Sequence, residues 1–422
     1  MAEFRFGFHS EHEKLPANPM MEKKQVDAAL GRPRLIAGIE KKLGQINWER
    51  AGLKLLRVAC GLLLGGLLVA GLWPFHSPSN QVTWSAGGNG LHFGGLGMIL
   101  SSGKFKAANV PADAPCSLEV WFEPARTAGS GTLFAFYAPG NPRQFSLFQS
   151  SAFLGVGSNL REERYQTPTT RFYVGDVFRQ GKPVFVTVTA NGGQTSVYVN
   201  GVLARTAPQF PLSSQDFAGK LVIGNMPRAS DSWPGLLRGL AFYDQEISAA
   251  QVAHHYETWT EKGRPDISDN ERAVALYLFD ERAGRVIHNR VPSGSDLYIP
   301  DRYQVLDQTF LRPFWLDRPT WGYWRDVLIN IAGFVPFGFL VCAYCSLLRR
   351  IKTPALVTIL LGFTLSFTIE SLQAFLPTRD SGTTDLITNT LGTCIGVGLY
   401  RSNLWRVLVA KICGQPPSSK IG

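Results

Sequence analysis

The chain has 422 residues, 18% of them charged and 45% hydrophobic, enough for two or three folded units. Its net charge is +10, but Lys and Arg collect beside apolar runs rather than in a basic stripe with aromatic platforms, which sets nucleic-acid binding aside. Of the six cysteines, Cys60, Cys342, Cys345 and Cys394 lie in apolar runs and Cys413 follows them, so Cys116 is left alone in the polar middle and that region holds no internal disulfide.

Residues 1–50 are polar and of mixed charge, with Glu11, Glu13, Lys14, Glu22, Lys23 and Lys24 and prolines at 16, 19 and 33. They read as a largely disordered cytoplasmic tail with a short helix around Ala37–Leu43. Residues 51–75 form the first expected transmembrane helix, with an apolar run from Leu55 to Trp73 flanked by Lys41, Lys42, Arg50, Lys54 and Arg57. A signal peptide has the same charge order. This run starts far from the N-terminus and ends in Trp73-Pro74-Phe75 rather than small residues, which favours an uncleaved anchor with the next domain outside the cytoplasm.

From Gln81 the period changes. Short aromatic-rich runs recur between Gly, Pro, Asn and Asp: Leu91–Phe93, Ser117–Phe122, Thr132–Tyr137, Gln144–Phe148, Phe185–Thr189, Ser196–Val199, Leu221–Ile223 and Leu236–Tyr243. Many strands at this spacing predict an antiparallel all-β jelly-roll sandwich over residues 81–300. The clearest hairpin is Val184–Ala190 and Thr195–Val199 around Asn191-Gly192-Gly193-Gln194, whose turn tolerates positive φ.

Several pieces occur in an order that resembles the concanavalin A-like, or laminin-G-like, jelly roll: Leu91-His92-Phe93, Ser117–Pro124, Val197–Gly201, Leu221–Asn225 and Gly239–Asp244 leading into Ile247–Val252. One segment departs from the family's order. Val274–Asp280 looks like the strand that usually opens such a domain, and here it comes last, either completing the sandwich or pairing elsewhere. Glycosidases on this fold use paired carboxylates, and Glu119 and Glu123 share a face of one strand. The family's catalytic motif carries an Asp between its two Glu, whereas Trp121 stands there, so the pair reads instead as a salt link or solvated face. Trp233, with Asp231 and Asn225 close in sequence, is a candidate sugar-stacking site at a loop end, and is equally a candidate core residue. The sequence points to no cofactor and leaves Ca²⁺ as a candidate ligand of the jelly roll.

Residues 301–325 are rich in Trp, Tyr, Pro and Arg and suit a membrane surface. Three further spans are expected at 326–347, 356–376 and 385–402, which with the first make a four-span α-helical membrane bundle. The basic residues Arg349, Arg350 and Lys352, and then Arg401, Arg406, Lys411 and Lys420, place both termini and residues 403–422 in the cytoplasm. The expected protein is thus mixed membrane and soluble, multi-pass in the cell (inner) membrane, with the jelly roll extracytoplasmic.

This topology gathers polar residues in the outer leaflet. Glu370 and Gln373, three apart, share a face of the third span; Asp385 and Asn389, four apart, share one of the fourth, continued by Gly392 and Gly396; Asp326 and Asn330 enter on the second, with Arg379 and Asp380 on the loop above. Asn330 with Val335–Phe339, Ile369–Gln373, Arg379, Asp380, Asp385, Asn389, Gly392 and Gly396, together with Leu72–Phe75, resemble the VanZ family, four-span membrane proteins named for a member linked to teicoplanin resistance. The resemblance implies architecture and location more firmly than chemistry.

The cluster reads in two ways. Structurally, Arg379 and Asn389 hold Glu370 and Asp385 to lock short helices, at about 0.6 kcal/mol per interhelical contact. Functionally, the carboxylates and Arg379 bind the head group of a lipid-linked envelope precursor, the guanidinium fork suiting phosphate. No nucleophile with a positioned base is evident, so the catalytic residues are unknown and the chain leans away from an enzyme. None of His9, His12, His76, His92, His254, His255 and His288 lies in a span, which argues against a His-based membrane metal site. The Cys342/Cys345 spacing suits helix packing better than metal or redox chemistry. The expected function is recognition or sensing of cell-envelope glycans or glycolipids, with membrane lipid as the standing partner. The alternatives are a membrane enzyme working through Glu370 and Asp385, and a structural or adhesive anchor for the jelly roll.

Overall fold

The computed structural model describes residues 34–402 apart from 106–113, 141–143, 159–170, 179–181, 269, 293, 317, 318 and 349, and gives only the backbone of 34–51. The expected tails at 1–33 and 403–422 lie outside the described residues. The first element, helix α1 (Arg34–Leu72), is continuous and extends well into the stretch read as a tail.

Two antiparallel sheets follow. The strands are β1 (Val82–Trp84), β2 (Leu91–Phe93), β3 (Ile99–Ser101), β4 (Cys116–Pro124), β5 (Ser130–Tyr137), β6 (Ser146–Ser150), β7 (Phe153–Gly157), β8 (Arg171–Val174), β9 (Val184–Ala190), β10 (Thr195–Val199), β11 (Val202–Ala207), β12 (Lys220–Ile223), β13 (Gly235–Tyr243), β14 (Ala273–Tyr277), β15 (Val286–Ile287) and β16 (Leu297–Tyr298). One sheet runs β1-β2-β13-β4-β9-β10-β11, with β14 also on β13; the other runs β15-β16-β3-β12-β5-β6-β7-β8. Each strand read from alternation is present. The segment Val274–Asp280, expected either to complete the sandwich or to pair elsewhere, completes it, because β14 pairs with β13 from Leu240↔Tyr277 to Tyr243↔Ala273.

The period of two puts Leu118, Val120 and Phe122 of β4 between the sheets with Phe134, Phe136, Val186, Leu240 and Phe242. At the β9–β10 turn, Gly192 sits at φ 82° and Asn191 Oδ1 accepts from the Gly193 and Gln194 amides, both at 3.1 Å. On the far side of the first sheet lies helix α2 (Ala249–Lys262). Ser248 and Gln251 form a reciprocal capping box at its start, and Gly263, at φ 70°, closes it in the left-handed region. The helix covers Phe185, Ala241 and Tyr243 with Val252 and Trp259.

The chain enters and leaves the sandwich side by side. Asn80 N donates to the Asp301 carbonyl at 3.1 Å, Tyr303 N to that of Pro78 at 2.9 Å, and the Asn80 side chain bonds Met98 and Pro300. Beyond it come α3 (Trp321–Leu347), α4 (Pro354–Gln373) and α5 (Thr383–Arg401). Among the described residues, three helices are long and apolar enough to cross a membrane: Gly52–Leu72, Trp321–Leu347 and Pro354–Gln373. The fourth expected span, α5, is not among these three. Thr383, Thr384, Asp385, Thr388, Asn389, Thr390 and Thr393 dilute the apolar content of α5, and much of that polar surface is buried against its neighbours.

Helices α3 and α5 cross in contact through glycine. A Cβ on Gly396 would stand 2.2 Å from the Val335 carbonyl oxygen, one on Gly392 2.4 Å from that of Ile331, and one on Gly338 2.2 Å from that of Thr393. The expected close approach at 392 and 396 is therefore backbone against backbone. Phe334, Phe337, Val341 and Ile369 fill the space between α3 and α4, with Leu63, Leu67 and Leu68 of α1 against them.

Candidate functional site

The expected polar residues meet where α1, α3, α4 and α5 end or begin. On α4, the buried stripe Thr358, Gly362, Ser366, Ile369, Glu370 and Gln373 turns polar in its last two turns. Glu370 is 1% exposed, and its carboxylate accepts from the Gly382 amide at 2.8 Å, just before α5 starts. Gln373 donates to the Gly71 carbonyl at the end of α1 (2.8 Å). Asn330 of α3 donates to Asp385 of α5 (2.8 Å), and Asn389, one turn on, donates to Ser366 of α4 (3.0 Å). Gln373 Oε1 and Asn389 Oδ1 are buried and make no hydrogen bond among the described residues. Asp326 stands apart, held by its neighbour Arg325, and Asp380 faces outward.

Arg379, read both as a phosphate ligand and as a holder of Glu370 and Asp385, lies against the end of α1. Its Nε donates to the Trp73 carbonyl at 3.0 Å and its Nη2 reaches the carbonyls of Trp73 and Ala70, the latter at 3.4 Å. These are the last carbonyls of α1, which lack helical partners and carry the negative end of the helix dipole. The guanidinium fastens α1 to the α4–α5 turn.

A second set of residues, silent in the sequence, ties this turn to the sandwich. Residues 303–314 form a strap. At one end the Tyr303 hydroxyl bonds Ser230 (2.9 Å) and Ser232 (3.0 Å), the Leu306 and Asp307 amides donate to Pro227, and Arg228 pairs with Asp307 at 2.7 Å. Tyr303 packs with Met98, Leu100 and Val222 on the outer face of the second sheet. At the other end Gln308 donates to the carbonyls of Gln373, Leu376 and Arg379, Leu311 N to Ser381 Oγ, and Phe314 N to Thr383 Oγ1. No signal marked Gln308, Ser381 or Thr383, because each is an ordinary polar residue whose role exists only through a partner some 70 positions away.

The sugar-stacking expectation is corrected. Trp233 is 1% exposed, its indole N–H donates to Gln149 at 3.0 Å, and its ring meets Phe122 edge-on at 5.6 Å. Asn225 is fully buried and accepts from the Asp231 amide at 2.9 Å, while Asp231 accepts from Thr132 at 2.8 Å. The three residues shape the loop that the strap grips and offer no stacking face. The carboxylates of β4 are engaged as well: Glu123 pairs with Arg238 at 3.1 Å, and Glu119 is buried beneath α2 rather than solvated. Among the described residues, no group of three or more His, Cys, Asp or Glu is placed to hold a metal ion.

A family model described as VanZ/LLP1 matches residues 277–407, and one described as the concanavalin A-like lectin/glucanases superfamily matches residues 101–253. The chain carries a VanZ-like domain and a concanavalin A-like domain. With three apolar helices among the described residues, two of them inside the VanZ-like match, it is a membrane protein with a lectin-like domain. The VanZ-like match starts at the last residue of β14, so it takes in β15, β16 and the strap as well as α3–α5. No curated protein matches the chain. Among solved structures it is similar to a SAP-like pentraxin from Limulus polyphemus, at 16% identity over 53% of this chain and 90% of that one, with a TM-score of 0.32. It is also similar to the CBM40 of a Ruminococcus gnavus IT-sialidase bound to α2,3-sialyllactose (14%, 39% and 95%, 0.30) and to a putative carbohydrate binding protein from Bacteroides ovatus (12%, 53% and 58%, 0.36).

Proposed function

We propose that this VanZ-like protein crosses the cell membrane four times, with both termini cytoplasmic and the sandwich outside, and that the sandwich binds or senses cell-envelope glycans or glycolipids. The fourth crossing is α5, whose polar stripe is shielded by α3 and α4 while Ile387, Leu391 and Ile395 face outward. Trp73, Phe75, Phe310, Trp315, Trp321, Trp324 and Phe375 are exposed around the ends of α1 and α4, the strap and the start of α3, where aromatic residues suit the headgroup level.

The observation that carries the reading is the strap. A lectin-like sandwich is held by hydrogen bonds directly to the turn above the polar cluster, which suits recognition of ligands close to the bilayer. The test is binding of the full chain in nanodiscs to an array of envelope polysaccharides and glycolipids, with and without Ca²⁺. Selective binding supports the reading, and uniform failure on both sets makes the sandwich a spacer or protein-contact domain.

The burial of Glu370, in a cluster where Gln373 Oε1 and Asn389 Oδ1 are buried with no hydrogen-bond partner among the described residues, favours a second reading. In it the cluster works as a membrane enzyme on a lipid-linked precursor, with Glu370 and Asp385 as the acid-base pair. Lipid turnover lost in Glu370→Gln with folding intact would support that reading.

A further inference from the structure

The sandwich buries a second set of charged side chains that plays no part in the cluster above. Glu119 of β4 and His255 of α2 are fully enclosed, and the Glu271 side chain, just before β14, is 4% exposed. His255 Nδ1 lies 2.8 Å from Glu119 Oε1, and its Nε2 lies 3.1 Å from Glu271 Oε2. The other neighbours of both carboxylates are donors. Glu119 Oε2 accepts from the Tyr243 hydroxyl at 2.8 Å and the Trp259 indole at 3.2 Å. Glu271 accepts from Gln251 Nε2 at 2.7 Å and from the Ser268 amide at 3.2 Å. The Gln251 amide cannot be turned round, because its oxygen already accepts from the Ser248 amide at 2.9 Å.

Donor counting then sets the charge state. Carboxylates surrounded by donors act as ionised acceptors, and a neutral imidazole has a single N–H to offer two of them. With both carboxylates ionised, the two observed contacts are both hydrogen bonds only when the ring carries two protons. We infer that His255 is an imidazolium clasp between Glu119 and Glu271, one that fastens α2 and the edge strand β14 to the centre of the sheet and loosens when rising pH removes its second proton. Ala273 N donates to the Glu271 carbonyl at 2.8 Å, so the residue the clasp grips leads straight into β14. That strand is the one that stands last here rather than first.

The charges acting on the ring are named by the packing. Burial pushes the imidazole pKa down, and the hydrogen bonds and charges of Glu119 and Glu271 more than reverse this, leaving it above the ordinary histidine value. Tyr243 of β13, its own pKa raised first by burial and then by Glu119, stays a neutral donor. His254, with its ring centroid 6.4 Å away, is half exposed and turned toward Asp266. A group whose folded pKa lies above its unfolded one contributes stability that is complete below about 6.5 and is lost as pH rises through the folded value. With both carboxylates ionised, the clasp is therefore closed below the ordinary histidine value and loosens as pH rises through the raised folded value.

The test is scanning calorimetry of the full chain in detergent micelles from pH 6 to 10, on the wild type, His255→Gln and Glu271→Gln. The wild-type sandwich transition should fall by about 3 °C for each pH unit between the two pKa values. His255→Gln should melt lower at pH 6 and show no such fall, so that the two curves converge in alkali. Glu271→Gln is the milder change, since a neutral ring can donate to Glu119 and accept from the new amide, and its fall should begin at lower pH. Parallel wild-type and His255→Gln curves, or a Glu271→Gln curve with the wild-type pH dependence, would overturn the clasp; if His255→Gln does not fold, the Glu271→Gln curve decides alone.

Discussion

Replacing Arg379 by Ala separates a helix fastener from a ligand-binding residue. The guanidinium serves the carbonyls of Trp73 and Ala70, and Gln373 serves that of Gly71 between them. A hydrogen bond to a charged donor contributes about 1.5–3 kcal/mol when enclosed, and Arg379 is half-buried. Solvent screening brings the expected loss to about 1–2 kcal/mol, including the contribution of a cation at a helix C-terminus. Lysine keeps the charge without the planar fork and should recover about half of that. Helix α1 should part from its neighbours first. Cys60, which packs with Leu63 and Leu67 beside Phe334 and Phe337, should then react with a small maleimide about 5–30 times faster by mass spectrometry, the factor that 1–2 kcal/mol corresponds to. Unchanged Cys60 reactivity and unfolding in Arg379→Ala, together with loss of binding to anionic lipid vesicles, would refute the fastener and restore a phosphate ligand.

Trp233→Phe removes the donor to Gln149 and leaves a void beside Phe122, so denaturant unfolding should show the sandwich about 2–3 kcal/mol less stable with any glycan binding unchanged; binding lost at unchanged stability would return Trp233 to a surface role. Gly396→Val forces a side chain into the Val335 carbonyl and should destabilise the α3–α5 pair by about 1–3 kcal/mol, read as a lower thermal midpoint in micelles. A neutral result would mean the helices do not cross that closely. Glu370→Gln keeps an oxygen for the Gly382 amide, so folding should hold within about 1 kcal/mol, and wild-type lipid turnover in that variant would end the enzymatic reading.

The strands and apolar helices were legible because their signals are local and repeated. Alternation along Val184–Val199 and the Asn-Gly turn specify a hairpin without reference to anything distant. The lengths of the runs ending at Leu72, Leu347 and Gln373 specify helices in the same way. The pair Asn330 with Asp385 was half legible, as was the place of Asn389. Spacing put each residue on a face, but the partner across the gap follows only from how the helices are rotated, and for Asp326 that rotation left it outside. Trp233 shows the limit most plainly, since an aromatic residue between turn formers has the same local signature whether it caps a core or faces a sugar.

By itself, then, the amino-acid sequence determined the division of the chain into a sandwich and a set of apolar helices, and the glycine-lined face of α5, because these depend on periodicity and residue size over short stretches. Tertiary structure alone decided that Arg379 holds α1, that Gln308 and Tyr303 strap the sandwich to the α4–α5 turn, and that Glu119, His255 and Glu271 share one buried site. A polar side chain takes its role from the groups that remain to satisfy it once water is excluded, and those groups come from positions that only folding brings together.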